Sequence, residues 1–115
     1  MDVVIWNRGK VLLVKRANEP LKGCWWTPGG RMKLGESPED AVRRKVLDET
    51  GLNAEGFRFS GYYVGIYPTS AFGVPCHTVS LVFEGEASGQ IVLNSESYDY
   101  GWFDKLPDDF YVQRS

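Results

Sequence analysis

Apolar residues fall mostly into short β-branched runs or alternate with polar ones, and one stretch alone carries a helical period. Val3, Val4 and Ile5 lead to a turn at Asn7, Arg8 and Gly9, after which Val11, Leu12, Leu13 and Val14 follow. Two such runs around an Asn/Gly turn predict a β-hairpin with strands over 3–6 and 10–16. Asn18, Pro20 and Gly23 predict a loop over 17–24, and a short strand over 25–27 must stop at Pro28, Gly29 and Gly30. Ser37, Pro38, Glu39 and Asp40 form a helix start: a cap, a proline at the first helical position, and acids where the helix dipole favours negative charge. The helix is predicted over 38–49, with Gly51 as its left-handed stop and Leu52 folding back onto it. Further strands are predicted over 56–65, 77–84, 91–92 and 100–103, between clusters of Gly, Pro and Ser. Residues 106–115 read as the start of a second helix that the end of the chain trims. The pattern predicts an α/β fold, a mixed β-sheet around one strong helix, in a single domain over 1–115.

Composition narrows the function classes. A chain of 115 residues with 43% hydrophobic content can build one core and is too short for two. Its net charge of −2 provides no broad basic surface, so nucleic acid is not an expected partner. No run approaches the roughly 18 apolar residues of a membrane span. The N-terminus also lacks a basic segment followed by an apolar run, which predicts a cytoplasmic protein without a membrane partner. Cys24 and Cys76 stand far apart without metal-type spacing and are expected to be reduced thiols with no functional weight.

On a helical wheel Ala41, Arg44, Lys45, Asp48 and Glu49 share one arc, whereas Val42 and Val46 point into a core. One reading is a solvated face with the i,i+4 pairs Arg44/Asp48 and Lys45/Glu49. The other reading follows from what precedes the helix, a Pro-Gly-Gly turn and the further acid Glu36, which bring carboxylates and bare backbone together. Mg²⁺ takes oxygen ligands and keeps positions for water and phosphate. Asp48, Glu49 and a carbonyl of Gly29 or Gly30 would supply such a site, since glycine permits close approach. Glu36 and Arg44 would then pair to hold the helix against the loop.

Gly30, Glu36, Arg44, Lys45, Val46, Asp48, Glu49, Gly51 and Leu52 stand at the spacing Gly-x5-Glu-x7-Arg-Lys-Val-x-Asp-Glu-x-Gly-Leu. This resembles the Nudix box, Gly-x5-Glu-x7-Arg-Glu-apolar-x-Glu-Glu-x-Gly-apolar; seven of its nine specified positions agree and Asp48 is a conservative change. The resemblance runs from about residue 3 to 110. It implies an α/β/α sandwich that uses Mg²⁺ or Mn²⁺ to hydrolyse a nucleoside diphosphate linked to another group, with a small-molecule nucleotide as substrate. Lys45 departs from the pattern, standing where the family usually has a metal-binding or basic glutamate. A lysine cannot coordinate a cation and its charge repels a second one. Fewer metals, or a base supplied from elsewhere, are implied.

The local sequence is also similar to the GDP-mannose mannosyl hydrolase subgroup, which lacks the same glutamate; Lys15, Arg16, Glu19, Pro20, Gly23, Trp25, Trp26 and Pro28 to Arg31 carry this likeness. In that subgroup water attacks the sugar carbon and the leaving diphosphate is neutralised by metal and arginines, which implies Arg16 and Arg31 as substrate cations, with Arg44 as a third candidate. His77 stands where the subgroup has a histidine near the sugar, and a histidine can exchange protons near neutral pH. Glu96 is the implied distal metal ligand or base. The subgroup's base is a histidine directly after that ligand, and here the position is Ser97, which is no base at neutral pH. Glu96, Asp99 or His77 would have to take over, and Glu49 or Glu96 would be the base of an attack at phosphorus. Three readings follow: a nucleotide-sugar hydrolase first, a pyrophosphohydrolase attacking phosphorus on an NTP, a dinucleotide or ADP-ribose second, and an inactive nucleotide- or protein-binding module third. A homodimer is compatible with the resemblance and with the core a small domain gains by association.

Overall fold

The structure, a computed structural model, describes residues 1–19, 21–67, 73–108 and 110, without the side chains of Tyr67 and Cys76. The opening hairpin forms β1 (Asp2–Asn7) and β2 (Lys10–Arg16) around Arg8 and Gly9. The β3 strand is Trp25–Trp26, ended by Pro28 as the sequence requires. Helix α1 spans Pro38–Thr50, one residue beyond expectation; the Ser37 hydroxyl accepts from the Asp40 amide, and Gly51, at φ +77°, caps the other end by donating to the Leu47 carbonyl.

The later strands differ from the pattern more. The β4 strand is Arg58–Tyr67, two residues later than expected at both ends, and β5 is Cys76–Glu86, longer by one residue at its start and two at its end. Residues 91–92, expected as a strand, form none: the Val92 amide donates to the Thr50 carbonyl at 2.8 Å, satisfying one of the acceptors that a helix C-terminus leaves open. The β6 strand is Ser97–Phe103 and starts three residues before the predicted 100–103, because it pairs with β2 alone and its exposed residues need no alternation. Among the described residues α1 is the one helix. Phe110 closes a single turn onto the Pro107 carbonyl, and the rest of the expected second helix, 109 and 111–115, lies outside the described residues.

The six strands form one mixed sheet. Three strands pair with β2, which has only two edges: β6 takes one from Val11 to Arg16, while β1 at Lys10 and Val11 and β3 at Val14 and Lys15 share the other. The chain leaving β3 therefore runs along the start of β1. There the Val3 amide donates to the Pro28 carbonyl at 2.8 Å and the Gly30 amide to the Met1 carbonyl at 3.0 Å, which staples the Pro-Gly-Gly turn to the head of the sheet. On its other side β1 runs parallel to β5, from Asp2 opposite Val82 to Trp6 opposite Glu86. A strand covered on both faces should read as a continuous apolar run, and Val3, Val4 and Ile5 do.

Helix α1 packs Val42 and Val46 onto Val3, Ile5, Leu12, Leu52 and Phe83. The opposite face buries Val4, Val11, Leu13 and Val82 beneath Trp26 and Phe110, with Phe110 stacked on Tyr63 at 5.3 Å. Among the described residues no helix is long and apolar enough to cross a membrane.

The core gives a direct stability test. Leu12 is fully buried between α1 and the sheet, so Leu12→Ala should lower unfolding free energy by about 2–5 kcal/mol, through lost transfer energy and the cavity left behind. Leu34→Ala, at a fully exposed loop position, should change it by less than about 0.5 kcal/mol. Urea unfolding of the two variants checks the contrast, and equal costs would contradict this core.

Candidate active site

The site lies where α1, the Pro-Gly-Gly turn and the loop before β6 converge. Asp2 and Gly29 face each other as an isolated antiparallel bridge, whose hydrogen bonds belong to the flanking residues. The ladder therefore consumes neither the amide nor the carbonyl of Gly29. The amide donates to Glu49 Oε2 at 2.8 Å, which locks the last turn of α1 onto the glycine turn. A side chain cannot replace Gly29, because a Cβ there would lie 2.2 Å from the Met1 carbonyl oxygen. The Gly30 carbonyl accepts from the Met1 amino group.

Glu49 is 3% exposed. Burial, then the neighbouring charge of Glu96, pushes its carboxyl up to about 8, against the opposing pull of Lys45 and the Gly29 amide. The Glu96 side chain lies within hydrogen-bonding reach of it. Burial is the largest single influence on Glu96 and works against its charge, but Lys45, Glu49 and Asn94 together outweigh it and hold that carboxyl below its usual value. The backbone positions Glu96 from two sides: its amide donates to the Asn94 side chain at 3.0 Å, and its carbonyl accepts from Ala17 just past β2.

Lys45 is the largest departure from a solvated helix face. It is 8% exposed, and its ammonium donates to Glu96 Oε2 at 2.9 Å. The arc of α1 is divided: Lys45 and Glu49 dip under the helix beside Val46, while Arg44 is half-buried and Asp48 is exposed on the other flank. The i,i+4 pairing is therefore not the organising contact. Arg44 instead reaches back to Glu36, Nε to Oε2 at 2.7 Å and Nη2 to Oε1 at 2.9 Å, and also donates to the Arg31 carbonyl. That is the arrangement of a positioning group, which ties loop 31–36 to the helix, rather than of a substrate cation.

The other sequence candidates are dispersed. Arg16 is half-buried at the end of β2, and Arg31 is exposed just beyond the turn. His77 is exposed on β5 opposite Ile66, five residues before Val82, which faces Asp2; at ~3.3 Å per residue that is roughly 16 Å from the head of β1. The structure does not bring it to the cluster. Ser97 is 7% exposed at the first position of β6. Cys24 is an exposed free thiol, and the Cys76 side chain lies outside what is described. Two residues escaped the sequence reading. Asp2 accepts from Trp26 Nε1 and Thr27 Oγ1 at 3.2 and 3.3 Å and pins β3 to β1, while Asn94 orients Glu96. The short Asn-x-Glu spacing was a readable signal for the second; nothing marked the first.

Glu49 and Glu96, with the Gly29 carbonyl that the ladder leaves unused, are the oxygen donors that would hold a hard cation. Asp48 is not gathered with them, and among the described residues no group of three His, Cys, Asp or Glu side chains is placed to hold a metal.

The profile of the NUDIX domain matches residues 1–106. An ADP-ribose pyrophosphatase of Methanocaldococcus jannaschii is 32% identical over 105 residues, covering 90% of this chain and 60% of that protein. The NAD-capped RNA hydrolase NudC of Haemophilus influenzae is 34% identical over 105 residues, 88% of this chain and 37% of that one. The chain thus spans 60% or less of the length of these two relatives. The structure of a MutT NUDIX hydrolase from Burkholderia pseudomallei superposes with a TM-score of 0.78 at 30% identity, over 96% of this chain and 86% of that one.

The Glu36–Arg44 pair has a pH signature. Arg44 hydrogen bonding, helped by the Lys33 amide, lowers the Glu36 carboxyl to about 2. A depressed carboxyl adds stability that is fully present above its ordinary pKa near 4.5 and is lost as pH falls towards about 2. Urea midpoints should therefore fall more steeply across that window in the native protein than in Glu36→Gln. Parallel slopes would show that the pair adds nothing.

Proposed function

The chain belongs to the Nudix family, and from that premise we propose that it is a pyrophosphohydrolase cleaving a nucleoside diphosphate derivative by attack of water at phosphorus. The observation that carries this reading is that the buried Glu49, fastened to the Gly29 amide, and Glu96 come together at the head of the sheet. A Mg²⁺ or Mn²⁺ ion held there would polarise a phosphoryl oxygen and offset charge on the leaving group. Around it the chain's own residues divide the remaining work. Glu49 and Glu96 would hold the cation and provide the carboxylate that can take a proton from water. Asp48 extends the acidic edge towards solvent. Arg16 and Arg31, on the loop side, neutralise the diphosphate of a small-molecule nucleotide. The Glu36–Arg44 pair keeps α1 and the turn in register, so that the carboxylates and the Gly29 carbonyl stay at one spacing.

Attack at phosphorus is better supported than attack at the sugar carbon. The mannosyl-hydrolase mechanism needs a base directly after Glu96, and the buried Ser97 stands there. His77, the other candidate of that mechanism, lies far along β5 from the carboxylates. The two relatives are named for ADP-ribose and NAD-capped RNA, both of which contain a nucleoside linked through a diphosphate to another group. ADP-ribose and dinucleotides are the first substrates to test, with NTPs after them.

Incubation with Mg²⁺ in water enriched in heavy oxygen, against ADP-ribose, NAD, NTPs and nucleoside diphosphate sugars, should place the label on a phosphate product, read by phosphorus NMR. A labelled free sugar with an unlabelled nucleoside diphosphate would overturn attack at phosphorus, and nucleotide binding without turnover would overturn the enzyme reading for this chain. Glu49→Gln should keep the fold and lower kcat by about 10²-fold or more.

A further inference from the structure

Lys45 occupies a place that its residue type rarely holds. A lysine on a helix normally runs its stem along the surface and keeps its ammonium in water. Here only 10% of the side chain is exposed, the ammonium lies 2.9 Å from Glu96 Oε2, and its charge is felt by Glu49. The glycine turn is hollowed around the same stem: a Cβ at Gly30 would lie 2.6 Å from Lys45 Cε and 3.0 Å from its Nζ. Two carboxylates and a bare turn thus surround one fixed positive charge. Taken together with the reading that Glu49 and Glu96 are the cation-binding carboxylates, on which this inference rests, we propose that the Lys45 ammonium is a built-in cation. It fills, beside the one cation position on Glu49, Glu96 and Gly29, the place that a second divalent ion would otherwise take.

Two consequences follow. The carboxylate cluster is assembled before any metal arrives, because Lys45 already offsets the repulsion between its two acids. The site also takes at most one divalent ion, since a second would meet the ammonium at contact distance with no dielectric screen between them. Lys45 is a positioning residue in this account: it acts through Glu96 and Glu49 and touches no substrate.

The test counts ions rather than turnover. Metal-stripped native chain and Lys45→Met, which keeps the stem and removes the charge, are titrated with Mn²⁺ while free ion is followed by electron paramagnetic resonance. Lys45→Met should bind one Mn²⁺ per chain more than the native protein. Its Tm, lower than native in EDTA, should rise further on addition of Mn²⁺ than the native Tm does. Equal ion counts in the two proteins would overturn the proposal. If Lys45→Met folds neither with nor without Mn²⁺, the native count decides: one ion or none upholds the proposal and two or more overturns it. Because neither readout involves hydrolysis, a protein that gains the ion but turns over nothing keeps this inference and loses the functional one.

Discussion

A glutamate that is 3% exposed beneath the end of α1 sets the terms for everything around it. Burying a carboxyl without partners costs several kcal/mol, and the cost falls only if donors and charges are built around it. Glu49 meets that demand with the Gly29 amide, and the amide is available because the Asp2–Gly29 bridge leaves it out of the ladder. That bridge exists because β1 and β3 share an edge of β2, so the demand of one side chain reaches the strand order itself. The remaining imbalance, a second carboxyl alongside at Glu96, draws Lys45 under the helix.

Helix and turn also need to be held at a constant spacing, and an isolated hydrogen bond between Gly29 and Glu49 would not do that. The Glu36–Arg44 pair does so from outside, with two parallel N–H to oxygen bonds and a third from Arg44 to the Arg31 carbonyl. Its guanidinium sits one position from Lys45 on α1, yet the two cations do opposite things. One fastens the loop at the rim; the other balances charge inside.

This division explains which parts were legible in the sequence. The hairpin, the helix with its caps and the Pro-Gly-Gly stop were all readable, because each depends on local chemistry: a turn residue, a capping hydroxyl, a left-handed glycine. The spacing of Glu36, Arg44 and Glu49 also announced a constellation. Residues 91–92 were misread because two apolar residues satisfy a helix end as readily as a strand, and nothing local separates the two. The start of β6 was missed because a strand paired on one edge can carry exposed Tyr98, Asp99 and Tyr100. His77 looked like a site residue by position in the chain, but the length of β5 beyond β1 carries it away. Strand overhang is a tertiary quantity that no spacing encodes.

The burial of Lys45 could not have been read from the wheel alone. Arg44, Lys45, Asp48 and Glu49 fall on one polar arc, and periodicity treats its members alike. What separates them is about 100° of rotation between neighbouring residues, which turns Lys45 and Glu49 towards the sheet and leaves Asp48 in solvent. At that inner edge a glutamate in place of Lys45 would put a third negative charge against Glu49 and Glu96, an arrangement stable only with a cation between them. A lysine there reverses the dependence: the charges are balanced by the fold itself, and one metal position is exchanged for assembly without metal. The departure from the family pattern is thus physically coupled to Gly30, whose missing side chain makes room for the lysine, and to Glu96, which receives its proton donor.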